Sequence, residues 1–201
     1  MAVYYRCFVI EKNMQLRIEV SARHVHLNRQ DLEVLFGEGY RLTEAKDLSQ
    51  EGQFAAKETV SLVGSKNRLD NVRLMGPCRN ITQVEVSRSD CFFLGITAPV
   101  RLSGKVIGSG KVKLVGPVGE LDLKEGVIVA KRHIHANKTQ AQKLGLVNGQ
   151  NVSVEVEGPR HITFHEIEVR VHEDFDLSMH IDTDEANAAG IDREGVGILL
   201  V

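Results

Sequence analysis

The segment Arg23-His-Val-His-Leu-Asn28 returns later in the chain as Arg132-His-Ile-His-Ala-Asn137. A strand-like run leads into each copy and a helix-like run follows. On an extended chain residues i and i+2 project from one face, so His24 and His26 point together, as do His133 and His135. A chain that writes this unit twice must build two similar strand–turn–helix corners. Either the repeat is chance or a diverged duplication without chemistry, or each copy supplies part of a metal site.

The surrounding pattern is that of a β protein. Period-two alternation marks Leu16–Val20, Glu58–Gly64, Asn71–Gly76, Thr82–Ser87 and Val112–Gly116, and returns in GVIVAKRHIH, NVSVEVEG, ITFHEIEVRV and GILLV. Glycines and short polar turns punctuate these runs about every ten residues, which predicts small sandwiches or barrels. Helix signals are few. Asn28 with Asp31 caps a helix whose apolar face is Leu32, Leu35 and Phe36, ending at Gly37 or Gly39. Asn137 with Gln140 starts a second one, with Ala141 and Leu144 inward and Gly145 as the stop. Asp182 with Glu185 starts a third that closes near Gly190. Leu42–Ala56 is polar and reads as a loop with a helical turn. The near-repeat by itself predicts two barrel-like halves, roughly residues 1–130 and 131–201.

Several function classes are excluded early. A formal net charge of −2 gives no basic field for general nucleic-acid binding. Cys7, Cys78 and Cys91 are odd in number and lack CxxC spacing, which predicts a reducing cytoplasm rather than a disulfide framework. The opening MAVYYRCFVIEKN is too short in apolar run for a secretory signal. No stretch approaches the roughly 18 apolar residues of a membrane span.

Same-facing imidazole pairs suit one ion each, at about 2.0–2.1 Å for zinc. A metal cluster typically includes an acid, and the candidates for further ligands are Glu85 in TQVEVS and His180 in MHIDTDE. Taken alone, Glu85 reads as a solvated strand residue and His180 as a core histidine or helix cap. His161, His165 and His172 lie on a highly charged stretch and read as surface residues. A mostly β chain of 201 residues cannot supply the long βα series of an amidohydrolase barrel. The cupin pattern wants a Glu three or four residues after its HxH, whereas the first acid after His26 is Asp31.

Four motifs in order then make a specific match: SARHVHL (Ser21–Leu27), GPCRNITQVE (Gly76–Glu85), KEGVIVAKRHIH (Lys124–His135) and MHIDTDEANAA (Met179–Ala189). With these the chain resembles the bacterial phosphate propanoyltransferases, the PduL-type phosphotransacylases, over about residues 14–201. The resemblance implies a mainly β fold with a few short helices, in which two small β-barrel domains hold the active site at their interface. Residues 1–22 with 131–201 would form one barrel and 23–130 the other. It implies two divalent ions, usually zinc, one held by His24, His26 and Glu85 and the other by His133, His135 and His180. Arg79 matches the family's phosphate-contacting arginine, with Arg170 beside it. Lys46, Arg73 and Asn187 fall where the family binds coenzyme A. The expected partners are small molecules, acyl-CoA and phosphate, without nucleic acid or membrane. A homodimer is expected, with microcompartment shell or core proteins as further candidates. Packaged members carry an amphipathic helical N-terminal extension, and MAVYYRCFVIEKN reads instead as a short strand-prone segment, so the expected location is the cytoplasm.

The implied reaction converts acyl-CoA plus phosphate to acyl phosphate plus CoA, reversibly. It brings a dianion against a thioester carbonyl, which two Lewis-acidic ions and a planar arginine fork suit. Arg23, Arg68 and Arg73 with Lys46 are the basic residues available for the phosphates of CoA. Direct attack by phosphate is the expected route. Cys78, beside Arg79, is the alternative nucleophile. A dinuclear zinc hydrolase of thioesters or phosphoesters would use the same ligands, and a structural-metal or shell-associated module is the non-enzymatic reading. Acetyl and propanoyl groups are not distinguished by sequence.

Overall fold

The computed structural model describes residues 14–200. The strand-prone segment at the start, with Cys7, lies outside the described residues. The elements in chain order are β1 (Met14–Val20), β2 (His24–His26), α1 (Arg29–Phe36), β3 (Glu44–Asp47), β4 (Phe54–Val63), β5 (Arg68–Gly76), β6 (Gln83–Glu85), α2 (Arg88–Leu94), β7 (Val100–Arg101), β8 (Gly110–Val115) and β9 (Glu120–Ala130). They continue with β10 (His133–Ala136), α3 (Lys138–Leu144), β11 (Asn151–Val156), β12 (Ile162–Val171), β13 (Ser178–Ile181), α4 (Thr183–Ala189) and β14 (Glu194–Leu200).

Strand pairing closes two six-strand barrels. One runs β1-β13-β10-β12-β11-β14 and back to β1. The other runs β4-β5-β2-β6-β9-β8 and back to β4, with β3 added beside β4 and β7 beside β9. Closure removes the exposed sheet edges that small β proteins must otherwise protect. Each barrel has its own core: Leu16, Ile18, Ile134, Ile167, Met179 and neighbours in one, Leu27, Leu35, Leu62, Leu74, Leu114 and neighbours in the other.

The two barrels follow the same plan. Each HxH strand lies between a parallel neighbour (β5 for β2, β12 for β10) and an antiparallel one (β6 for β2, β13 for β10). Beyond the antiparallel strand comes a parallel one, β9 or β1, and then antiparallel pairs complete each ring. One strand crosses over: β1 closes the barrel of β10–β14, while the consecutive strands β2 to β9 build the other barrel without it. A split into consecutive halves at residue 130 therefore does not describe the sheets. Hydrophobic alternation reports which residues face a core, not which core they face.

Two local expectations are corrected. Leu42–Ala56 contains strand β3 and the start of β4, not a helical turn. All four residues of β3 are exposed, so its sequence EAKD shows no alternation. The run GVIVAKRHIH is two strands in different barrels, broken at Lys131-Arg132. Helix α2 carries no amphipathic signal in the sequence: Phe92 and Phe93 are exposed, and Ser87 reads there as the end of a strand.

Candidate metal centres and active site

The local rule that places the site is used four times. His26, Glu85, His135 and His180 each stand two residues before a helix N-cap: Asn28, Ser87, Asn137 and Asp182. Each cap side chain accepts the backbone N–H three residues on, from Asp31, Asp90, Gln140 and Glu185. Such a cap stabilises a short helix by about 1 kcal/mol and fixes where the strand must stop. Gly95, Gly145 and Gly190 end three of the helices in the left-handed region, at φ 71°, 69° and 71°, where a side chain is strained.

The arginine of the repeat has its own task. Arg23 pairs with Asp90 at 2.7 Å, and Arg132 pairs with Glu185 at 2.5 Å. Each therefore ties its HxH strand to the helix that follows the third candidate ligand. Every invariant position of Arg-His-x-His-x-Asn is thus accounted for: a clamp, two imidazoles and a cap. Arg23 is held by buried Asp90 rather than free for an anion, and Arg68 is likewise engaged by Asp70 and Ser61.

Strand register makes the third ligands equivalent. His24 stands opposite Glu85 and His133 opposite His180, each across the antiparallel pair. Their differing residue types hide this in the sequence. The Nδ1 atoms of His24 and His133 lie 2.8 and 2.9 Å from the carbonyl oxygens of Ala22 and Lys131. A carbonyl accepts only, so both imidazoles donate there and turn the Nε2 lone pair inward. His24 Nε2 lies 3.6 Å from Glu85 Oε2, and His24, His26 and Glu85 offer donor atoms all within 4.8 Å of one another. Among the described residues this is the one such group. The second set is packed ring to ring, with centroids 4.6 Å (His133–His135), 5.2 Å (His133–His180) and 4.6 Å (His135–His180) apart. His180 Nε2 lies 3.0 Å from the Ser178 hydroxyl, and its Nδ1 is 3.8 Å from Glu19.

The donors suit a divalent cation. His26 Nδ1 and His135 Nε2 are buried with no hydrogen-bond partner, a costly condition that an ion relieves. Burial, then the other histidines and arginines nearby, pushes the imidazoles toward the neutral form. His26 falls to about 2 and His133 and His180 to about 4, and His135 is lowered further still. A neutral imidazole is the form that ligates.

Arg79 and Arg170 converge here from different barrels. Both are half-buried, and burial lowers both from the ordinary guanidinium value. Glu85 favours the charge on each, while Arg170 disfavours it on Arg79. Arg79 donates to Ser103 Oγ at 3.2 Å and Gln53 Oε1 at 3.3 Å. Arg170 lies over Phe175, whose ring stacks on His135 at 3.9 Å. It has no side-chain hydrogen bond or ion pair among the described residues. Glu85 is the one carboxylate acting on both guanidiniums, and Glu168, which also acts on Arg170, is itself paired with Lys131 at 3.1 Å, so positive charge is left for an anion.

Sequence reasoning misses the residues that hold these groups. Buried Gln83 donates to Glu85 Oε1 at 2.6 Å and to Ser103 Oγ at 2.8 Å, and accepts the Gly104 N–H at 2.7 Å. Gln50 lies 3.0 Å from His135 Nδ1. The only sequence signal is the placement of Gln83 two residues before Glu85, so that both project from one strand face. Of the expected coenzyme A contacts, Lys46 is exposed on β3, and Arg73 is exposed on β5 with its guanidinium on the carbonyls of Ala56 and Lys57. Asn187 is exposed on α4. No side-chain bond among the described residues joins these three. Cys78 lines a cavity of about 260 Å³ with Arg29, Arg41, Leu42, Phe54 and Pro77, and among the described residues lining it there is no histidine to serve as its base. His161, His165 and His172 are exposed, as expected.

Comparison with known proteins shows the family. The phosphate propanoyltransferase family model matches residues 17–192. A phosphate propanoyltransferase of Thermotoga maritima is 51% identical over 182 residues, covering 90% of this chain and 87% of that protein. One of Salmonella typhimurium is 52% identical over 175 residues, covering 87% and 83%. One of Lachnoclostridium phytofermentans is 52% identical over 175 residues, covering 87% and 82%. The chain therefore belongs to the phosphate propanoyltransferase family and is an acyltransferase.

Proposed function

We propose that this chain transfers propanoyl and acetyl groups between coenzyme A and inorganic phosphate, at two divalent cation centres lying between the barrels. The observation that carries this reading is the register equivalence of the two sets, His24–His26–Glu85 and His133–His135–His180, with orphaned ring nitrogens in each and two arginines beside them. Ions held by these residues, zinc on the strength of a nitrogen-rich donor set, would supply Lewis acidity and positive charge. Three protein ligands per ion is the number catalytic zinc sites use, whereas structural zinc takes four.

The chain's own groups do the rest. Arg79 and Arg170 bind the phosphate oxygens and hold one of them against the carbonyl carbon, which removes much of the entropy barrier of a two-substrate reaction. Gln83 and Ser103 keep Glu85 and Arg79 in place. A phosphate oxygen forms the new C–O bond, the C–S bond breaks, and the thiolate leaves as CoA and takes a proton from water. No enzyme-bound acyl group forms. Lys46, Arg73 and Asn187 receive the coenzyme, with the two barrels acting as the two domains of the transferase. The test is release of free CoA from propanoyl-CoA with and without phosphate. The reading requires release that depends on phosphate and yields propanoyl phosphate. Release at the same rate without phosphate makes the chain a hydrolase.

A further inference from the structure

The turn between β3 and β4 carries two glutamines that connect the two barrels' machinery. Gln50 Nε2 lies 3.0 Å from His135 Nδ1, Gln53 Nε2 donates to Gln50 Oε1 at 2.5 Å, and Arg79 donates to Gln53 Oε1 at 3.3 Å. An unbroken line of bonds thus runs from the anion-binding arginine of one barrel to a candidate ligand of the other. The turn is braced by Gln53 N–H to Gln50 O at 3.1 Å and Leu48 N–H to Gln53 O at 3.0 Å. Its Ser49 hydroxyl donates to Glu19 at 2.8 Å.

The direction of this line is fixed at one end. A guanidinium only donates, and a primary amide has one accepting and one donating end. Arg79 makes Gln53 present its oxygen, so the Gln53 amine faces Gln50. Gln50 answers with its oxygen, so its own amine faces His135, and Nδ1 must accept. A neutral His135 then carries its proton on Nε2, the atom that is buried without a partner. An ion at Nε2 reverses this. The imidazole stays neutral and keeps one proton, now on Nδ1, where it faces the Gln50 amine as a second donor. Two amides in series cannot accept from donors at both ends, so one link must open. The longest is the one from Arg79 to Gln53.

We propose that filling the second centre reverses the Gln50–Gln53 relay and releases Arg79 Nη2 from Gln53, so that this end of the fork, with Nη1 still held by Ser103, turns to phosphate only when the ion is in place. This rests on the two-ion reading above. Gln50 and Gln53 are positioning residues, and the relay orders the binding events: ion first, anion second.

The test is zinc titration of the metal-free full chain against a chromophoric chelator. Gln53→Leu removes the acceptor that holds Arg79 and lets Gln50 turn without loss, so the second ion binds about three- to tenfold tighter. Gln53→Glu, which accepts on both sides, tightens it at least as much. Gln50→Leu deprives His135 of its partner and weakens the second ion about ten- to a hundredfold. A purely structural turn predicts weakening in all three. Weaker or unchanged second-ion affinity in both Gln53 variants overturns the relay and leaves the two-ion reading standing. A wild-type chain that takes up no second ion overturns both.

Discussion

Gln83→Leu tests how the first centre is held. The side chain is 2% exposed and makes three hydrogen bonds: to the Glu85 carboxylate at 2.6 Å, to Ser103 at 2.8 Å and from the Gly104 N–H at 2.7 Å. Leucine keeps most of the volume and loses all three. A bond to a charged group contributes about 2 kcal/mol, and a buried amide left without an acceptor costs about 1–2 kcal/mol. Burying leucine in place of an amide returns about 1 kcal/mol. The metal-free variant should therefore unfold about 2–3 kcal/mol more easily, read from the urea midpoint at unchanged slope. The carboxylate also loses its fixed orientation, so the first ion should bind about ten- to a hundredfold more weakly while the second is unaffected. Unchanged first-ion affinity with Glu85 intact would refute the claim that Gln83 sets the ligand's geometry.

Four further outcomes are expected. His133→Ala should remove the second ion and abolish transfer while leaving one ion bound, by metal analysis. Arg79→Ala should retain both ions yet raise the phosphate concentration needed for CoA release at least tenfold, and an unchanged phosphate requirement would remove Arg79 from the anion site. Cys78→Ala should keep sequential kinetics and most of the activity; a ping-pong pattern or complete loss would restore the covalent route. In the metal-free chain, imidazoles lowered in the fold are protonated first in the unfolded state, whose histidines titrate near 6.5. The stability they contribute is therefore full above that pH and is lost as pH falls from there toward about 4, the folded value of His133 and His180. Each excluded proton costs about 1.4 kcal/mol per pH unit. Urea midpoints between pH 7 and 5 check this, and zinc should suppress the loss.

Much of this was legible in residues. The caps Asn28, Asn137 and Asp182 were readable because cap chemistry is local, and most strands because their faces alternate. The Ser87–Asp90 cap has the same form but was masked by the preceding TQVEVS alternation, which runs past the true strand end at Glu85. Edge strand β3 has no buried face and so no pattern. The crossing of β1 into the barrel of β10–β14 was invisible, since period two does not name a partner. The histidine pairs could be found by eye, whereas the equivalence of Glu85 and His180 needed strand register, because a carboxylate and an imidazole share no sequence signature. Gln83, Ser103, Gln50 and Gln53 act through hydrogen bonds between segments far apart in the chain, and nothing near them in sequence announces the partner.

The most direct measurement is an anomalous difference map at the zinc edge from a crystal of the zinc-loaded chain. The account predicts two peaks, one within bonding distance of His24, His26 and Glu85 and one within bonding distance of His133, His135 and His180. A single peak, or peaks away from these side chains, would contradict it.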